Sequence, residues 1–154
     1  MSRDLIAALI GDWSGTYRLW LEPGTLRTEG PTRCTGRSVL DGRFVALDYD
    51  WTDLDGPQQG SMLLGLTDEG TWQMAWVDTW HTGHLMMFNT GEPGAGESGA
   101  GGFAEVLGSY GPPEEPWGWR TRVDLSSPDE LVITAWNVLP GGLEAKATEA
   151  AYAR

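Results

Sequence analysis

The sequence predicts an all-β protein, an up-and-down antiparallel barrel of about eight to ten strands behind one short N-terminal helix. Two observations lead there. The first is punctuation: 22 glycines and 9 prolines in 154 residues mark turns along the whole chain. The second is what lies between the marks, runs of strand length in which apolar and polar residues alternate. Adjacent antiparallel strands joined by short turns close most simply into a barrel, which leaves no exposed edge. An open sandwich is the competing architecture.

The helix is read over residues 3–10. Ser2 is its N-cap, Asp4 suits the positive end of its dipole, and Gly11 stops it. A helix this short needs a docking surface, and Leu5, Ile6 and Leu9 supply the apolar face. Strands follow at 13–21, 32–39, 43–51, 60–66, 71–80, 84–89, 103–109, 117–125, 131–138 and 144–153. Asp41-Gly42, between Val39 and Phe44, is the sharpest hairpin signal and calls for a type I′ turn. On 43–51, Val45, Leu47, Tyr49 and Trp51 share the apolar face; on 117–125, Trp117, Trp119, Thr121, Val123 and Leu125 do. On 131–138 the two faces are not distinguished. On 144–153, a period of two puts Ala145, Ala147, Glu149, Ala151 and Ala153 together, making Glu149 an interior carboxylate among small residues.

The segment Gly91–Gly102 is biased toward glycine and reads as a surface loop, with a lid over the barrel mouth as its functional alternative. It contains Gly94-x-Gly96-x-x-Gly99, but Pro93 precedes it and a strand follows, which is the wrong setting for a dinucleotide site.

Composition limits the function classes. A length of 154 residues with 40% hydrophobic content fits one domain, 1–154, with a sizeable core. A net charge of −12 argues against nucleic acid and anionic membrane surfaces as partners. Cys34 is the single cysteine, read as a packed strand residue; with no disulfide possible, the expected setting is the cytoplasm. Leu5–Ile10 is too short for a secretory signal, and no window has the length of a membrane span.

Chemistry concentrates in Trp72–Phe88, which holds three of the nine tryptophans and both histidines. Trp72, Met74, Trp76, Asp78 and Trp80 fall on one strand face, so a carboxylate sits among large rings. Tyr49, Trp51, Trp76, Trp80 and Trp119 either fill the barrel or line a cavity that stacks on a flat apolar ligand. Asp78 and Glu149 either pair with an indole or arginine, or orient a polar group of that ligand. His81 and His84 would point to opposite faces of a continuous strand, so they read as rim-turn residues and not as a metal pair. A haem held by one of them is the cofactor alternative. No serine or cysteine has the surroundings of a nucleophile.

Gly11-Asp12-Trp13, just after the helix, resembles the Gly-x-Trp signature of lipocalins and related calycin barrels. The resemblance implies that Trp13 plugs the closed end under a basic residue, Arg154 or Arg120. A broader resemblance runs through Leu40-Asp41-Gly42-Arg43-Phe44, Gly60–Gly65, Trp76-Val77-Asp78-Thr79-Trp80-His81-Thr82-Gly83 and Glu149–Arg154. That order is similar to an uncharacterised bacterial family of small lipocalin-like barrels, a domain of unknown function. It implies the fold and no reaction. The expected activity is binding of a small hydrophobic or aromatic molecule inside the barrel through Tyr49, Trp51, Trp76, Asp78, Trp80, His84, Trp119 and Glu149. The alternatives are an enzyme using the interior acids or His84, and a filled barrel that serves as a structural or homodimerisation module.

Overall fold

The computed structural model describes residues 3–92 and 102–154. A helix, α1 (Arg3–Ala8), precedes ten strands: β1 (Gly11–Glu22), β2 (Thr25–Val39), β3 (Phe44–Asp53), β4 (Gly56–Leu66), β5 (Trp72–Asp78), β6 (Met87–Thr90), β7 (Phe103–Tyr110), β8 (Trp117–Ser127), β9 (Glu130–Val138) and β10 (Glu144–Ala153). Each strand pairs antiparallel with its chain neighbours, and β1 pairs with β10 to close the barrel. The seam between β6 and β7 is thinnest, with the single ladder pair Thr90–Leu107.

Alternation selects the core. Val45, Leu47, Tyr49 and Trp51 are buried on β3, and Trp119, Thr121, Val123 and Leu125 on β8, as the sequence pattern requires. On β9 the structure chooses Leu131, Ile133 and Ala135 as inward residues. Cys34 packs into the same core, and burial pushes its thiol up to about 12, which leaves it unreactive at neutral pH.

One end is closed by α1. Leu5, Ile6 and Leu9 are buried against the barrel, and the Trp13 indole donates to the Leu9 carbonyl at 3.0 Å. The Arg154 guanidinium lies 4.2 Å from the centre of the Trp13 ring and donates to the carbonyls of Ile10 and Pro128, both at 3.0 Å. Arg120 is elsewhere, on the outer face, paired with Glu105 and Glu144 and stacked over Trp136.

One expectation needs correction. Glu149 is not interior: a bulge between Lys146 and Thr148 puts Ala147 and Thr148 both inside. The extra residue reverses the alternation, so Ala150 and Tyr152 face in while Glu149 faces out to Arg18 and Lys146. The proposed lid, for its part, includes positions 93–101, outside the described residues. Its two described ends are tied at the helix-capped end, where Gly91 N–H donates to the Trp72 carbonyl at 2.8 Å and the Gly102 carbonyl accepts from Leu125 N–H at 3.0 Å.

Candidate functional site

The open end of the barrel is organised by Asp78. It ends β5 because its side chain takes over the bonding of the chain that follows. Asp78 Oδ1 accepts from the backbone N–H of Trp80 at 2.8 Å and of His81 at 3.0 Å. Thr82 closes the turn, its hydroxyl accepting from Asp78 N–H at 2.9 Å and donating to the Asp78 carbonyl at 3.1 Å. The predicted strand 71–80 therefore stops two residues early, at Asp78. Trp80 and His81 belong to the turn, which folds the His81 ring over the barrel mouth.

The carboxylate is saturated. Oδ2 accepts from Tyr49 Oη at 2.6 Å and from Trp51 Nε1 at 3.3 Å, and Oδ1 also accepts from His81 Nδ1 at 3.0 Å. Burial pushes the Asp78 carboxyl up, but the bonds and charge of His81 and the Tyr49 hydroxyl outweigh it, so its pKa lies below the ordinary carboxylate range. The same carboxylate, added to burial, holds the Tyr49 phenol well above its ordinary value, so Tyr49 stays protonated and donates. Tyr49 Oη in turn accepts from Trp76 Nε1 at 2.9 Å. Tyr17 stacks on Trp51 at 4.4 Å and completes this layer.

His81, which the sequence places at a rim turn and offers only as an alternative haem ligand, occupies the centre. Its ring lies 5.9, 5.4, 4.8 and 5.4 Å from those of Trp51, Trp76, Trp80 and Trp119. Its side chain keeps 9% of its surface. Ionised Asp78 is an acceptor only, so the network places a hydrogen on Nδ1; in the neutral ring Nε2 then carries a lone pair. That Nε2 is buried and has no partner, and neither has Trp119 Nε1. The signal for His81 was present as Asp78-x-x-His81, the spacing at which an aspartate that caps a turn can also reach the ring of a residue within it.

Trp76, Trp119 and His81 form the floor of a pocket of about 640 Å³, open to solvent. Trp80 walls it, and the exposed side chains of Leu85, Met86 and Phe88 rim it. Trp76 and Trp119 are stacked at 5.2 Å with a 14° interplanar angle. Below this plate the barrel is filled: the void bounded by Tyr17, Tyr49, Met62 and Trp119 measures about 20 Å³, room for one water.

The nominated residues thus separate into three groups. Trp76, Trp80 and Trp119 line the pocket. Tyr49, Trp51 and Asp78 lie behind it and fix its floor. His84 is exposed on the turn and outside the pocket lining, and Glu149 is on the outer surface. Trp80 is held from the other side: its Nε1 donates to buried Asp53 at 3.2 Å, and Arg27 grips Asp53 with two bonds of 3.0 and 2.9 Å. Among the described residues no group of His, Cys, Asp and Glu is arranged to hold a metal ion. No described helix is long and apolar enough to cross a membrane.

A family model described as a protein of unknown function, DUF1579, matches residues 1–154. No curated protein matches the chain. Among solved structures the chain is similar to Rv2717c from M. tuberculosis, at 15% identity and a TM-score of 0.66, over 99% of this chain and 96% of that one. At that identity the likeness concerns the fold alone.

Proposed function

We propose that this chain, which belongs to the DUF1579 family and inherits no established activity from it, binds a small flat molecule at the mouth of a calycin-type barrel. The calycin reading is supported by Gly11-Asp12-Trp13 with Arg154 stacked on Trp13. The binding reading rests on one observation: two buried ring nitrogens without partners, His81 Nε2 and Trp119 Nε1, at the floor of an apolar pocket. A native protein rarely leaves such groups unpaired, because each forgoes a hydrogen bond that burial would otherwise require. A ligand that supplies the partners would recover that loss. The exposed side chains of Leu85, Met86 and Phe88 add area for an aromatic or apolar body. The preferred ligand is aromatic, of a few rings at most, with one polar group that both donates and accepts.

Calorimetry with 2-naphthol and naphthalene tests this. The expected result is a preference for 2-naphthol of about tenfold or more, from its bonds to His81 and Trp119. Trp119→Phe should remove part of that preference, leaving the bond to His81, and keep naphthalene binding. No binding of either compound, or equal affinity for both, overturns the reading.

A further inference from the structure

Asp78, His81 and Trp119 together have a chemical capability that simple binding does not use. The Asp78 carboxylate fixes the His81 ring through Nδ1 at 3.0 Å and through the adjacent backbone N–H at 3.0 Å. The ring is thereby held at the pocket floor with its tautomer set and its other nitrogen buried and without a partner. That is the arrangement a general base needs: a lone pair held in place, and a buried anion behind it to stabilise the imidazolium formed when it takes a proton. The partner group is equally specific. Trp119 Nε1–H can only donate, so the ligand atom it satisfies is an acceptor, best of all an oxygen that becomes negative. The two rings are 5.4 Å apart, centre to centre, across the same pocket floor.

We propose that the pocket is catalytic, and that His81 is a general base that removes a proton from the carbon between an aromatic ring and a carbonyl in a flat, uncharged ketone. The proposal rests on the binding reading above, since the ketone occupies the same pocket. In the step, His81 Nε2 takes the α-proton. The C–H electron pair becomes the new C=C bond while the C=O pair moves onto oxygen. Trp119 N–H holds that oxygen. The proton on Nε2 is then delivered to the oxygen, giving the enol, or returned to carbon. No oxidant, reductant or co-reactant is consumed. Asp78 acts as a positioning residue, because it meets His81 and not the ketone. An uncharged substrate suits a lining that holds no Asp, Glu, Lys or Arg and combines aromatic, thioether and aliphatic side chains with the neutral polar groups of Thr82, Ser109 and Asn137.

The test uses the full chain and 2-indanone in D2O, with the loss of the α-CH2 signal followed by proton NMR and binding followed by quenching of tryptophan fluorescence. The wild type should bind the ketone and exchange its α-protons faster than buffer by a factor of about 10² or more, the usual contribution of a placed base. His81→Phe and His81→Gln, each checked by near-UV circular dichroism, should return exchange to the buffer rate while binding changes by a few fold. Trp119→Phe should lower exchange about tenfold or more while keeping the stacked ring. Binding without accelerated exchange overturns the catalytic proposal and leaves the binding reading intact. Wild-type exchange in a folded His81 variant also overturns it. Failure of 2-indanone to bind at all counts against both.

Discussion

Asp78 meets its partners across a gap that a glycine provides. Tyr49 pairs with Gly60, and Gly60 with Asp78, on one rung across β3, β4 and β5. The Tyr49 ring lies over Gly60 to bring its hydroxyl to the carboxylate, and a Cβ at Gly60 would overlap that ring. Gly60 therefore works through close approach rather than through a turn conformation. Gly60→Ala should displace Tyr49, cost about 1–3 kcal/mol in overpacking, and loosen the turn that carries His81. Urea unfolding monitored by fluorescence would show the loss, and 2-naphthol affinity should fall with it. A Gly60→Ala protein with unchanged midpoint and affinity would show that the rung does not position the site. The aromatic strand faces were legible as large rings around a carboxylate. What alternation did not convey was which ring is wall and which is support. Tyr49 and Trp51 read the same as Trp76 and Trp119, because a period of two gives the face of a residue and not its depth along the barrel axis.

At the scale of elements, strands were legible where one face is buried and illegible where neither is. β3 and β8 lie within a few residues of their predicted limits, because their inward residues are large and apolar. β2 begins at Thr25, well before the predicted residue 32. Its first part, Thr25–Pro31, is largely exposed and is held by backbone pairing with β1, so no apolar face marks it. β10 failed for another reason: one bulge residue inverts every later side chain, and alanines on both faces gave no contrast that could reveal the slip. The hairpin between β2 and β3 carries a cost of its own. Asp41 and Gly42 have the positive φ of 54° and 80° that the I′ turn requires, but Leu40 is also positive at 53°. Leucine takes that conformation reluctantly, and this one is exposed, so no burial offsets it. Leu40→Asn should raise stability by about 0.5–1 kcal/mol, read as a higher melting temperature with no change in ligand affinity. A lower melting temperature would mean that the leucine is held by contacts that offset its backbone strain.

For the molecule as a whole, the acidic surface is tolerated because many carboxylates are spread over the outer strand faces and paired across them. Arg18 meets Glu29 and Glu149, and Arg122 meets Glu105 and Asp124. Such exposed pairs contribute little each, and salt screens them. The acid sensitivity of the fold should therefore arise at the mouth, where carboxylates are buried. Asp53 keeps 4% of its surface; the Arg27 fork, against the opposing effect of burial and with help from the backbone N–H groups of Asp55 and Leu54, lowers its carboxyl to about 2. A group whose pKa falls on folding adds stability that is fully present above its unfolded value, near 4, and is lost as pH drops through the folded value. Asp78, also lowered, acts in the same direction. Denaturant midpoints should thus be flat above about pH 5 and fall steeply between pH 5 and pH 2. Asp53→Asn should be less stable than wild type at pH 7 and show a shallower decline in that window, because the substituted side chain has no proton to gain. It should also release Trp80, whose indole loses a carboxylate acceptor, so tryptophan emission should shift together with stability. Parallel curves for the wild type and the Asp53→Asn variant across that range would place the acid-labile pair elsewhere in the barrel.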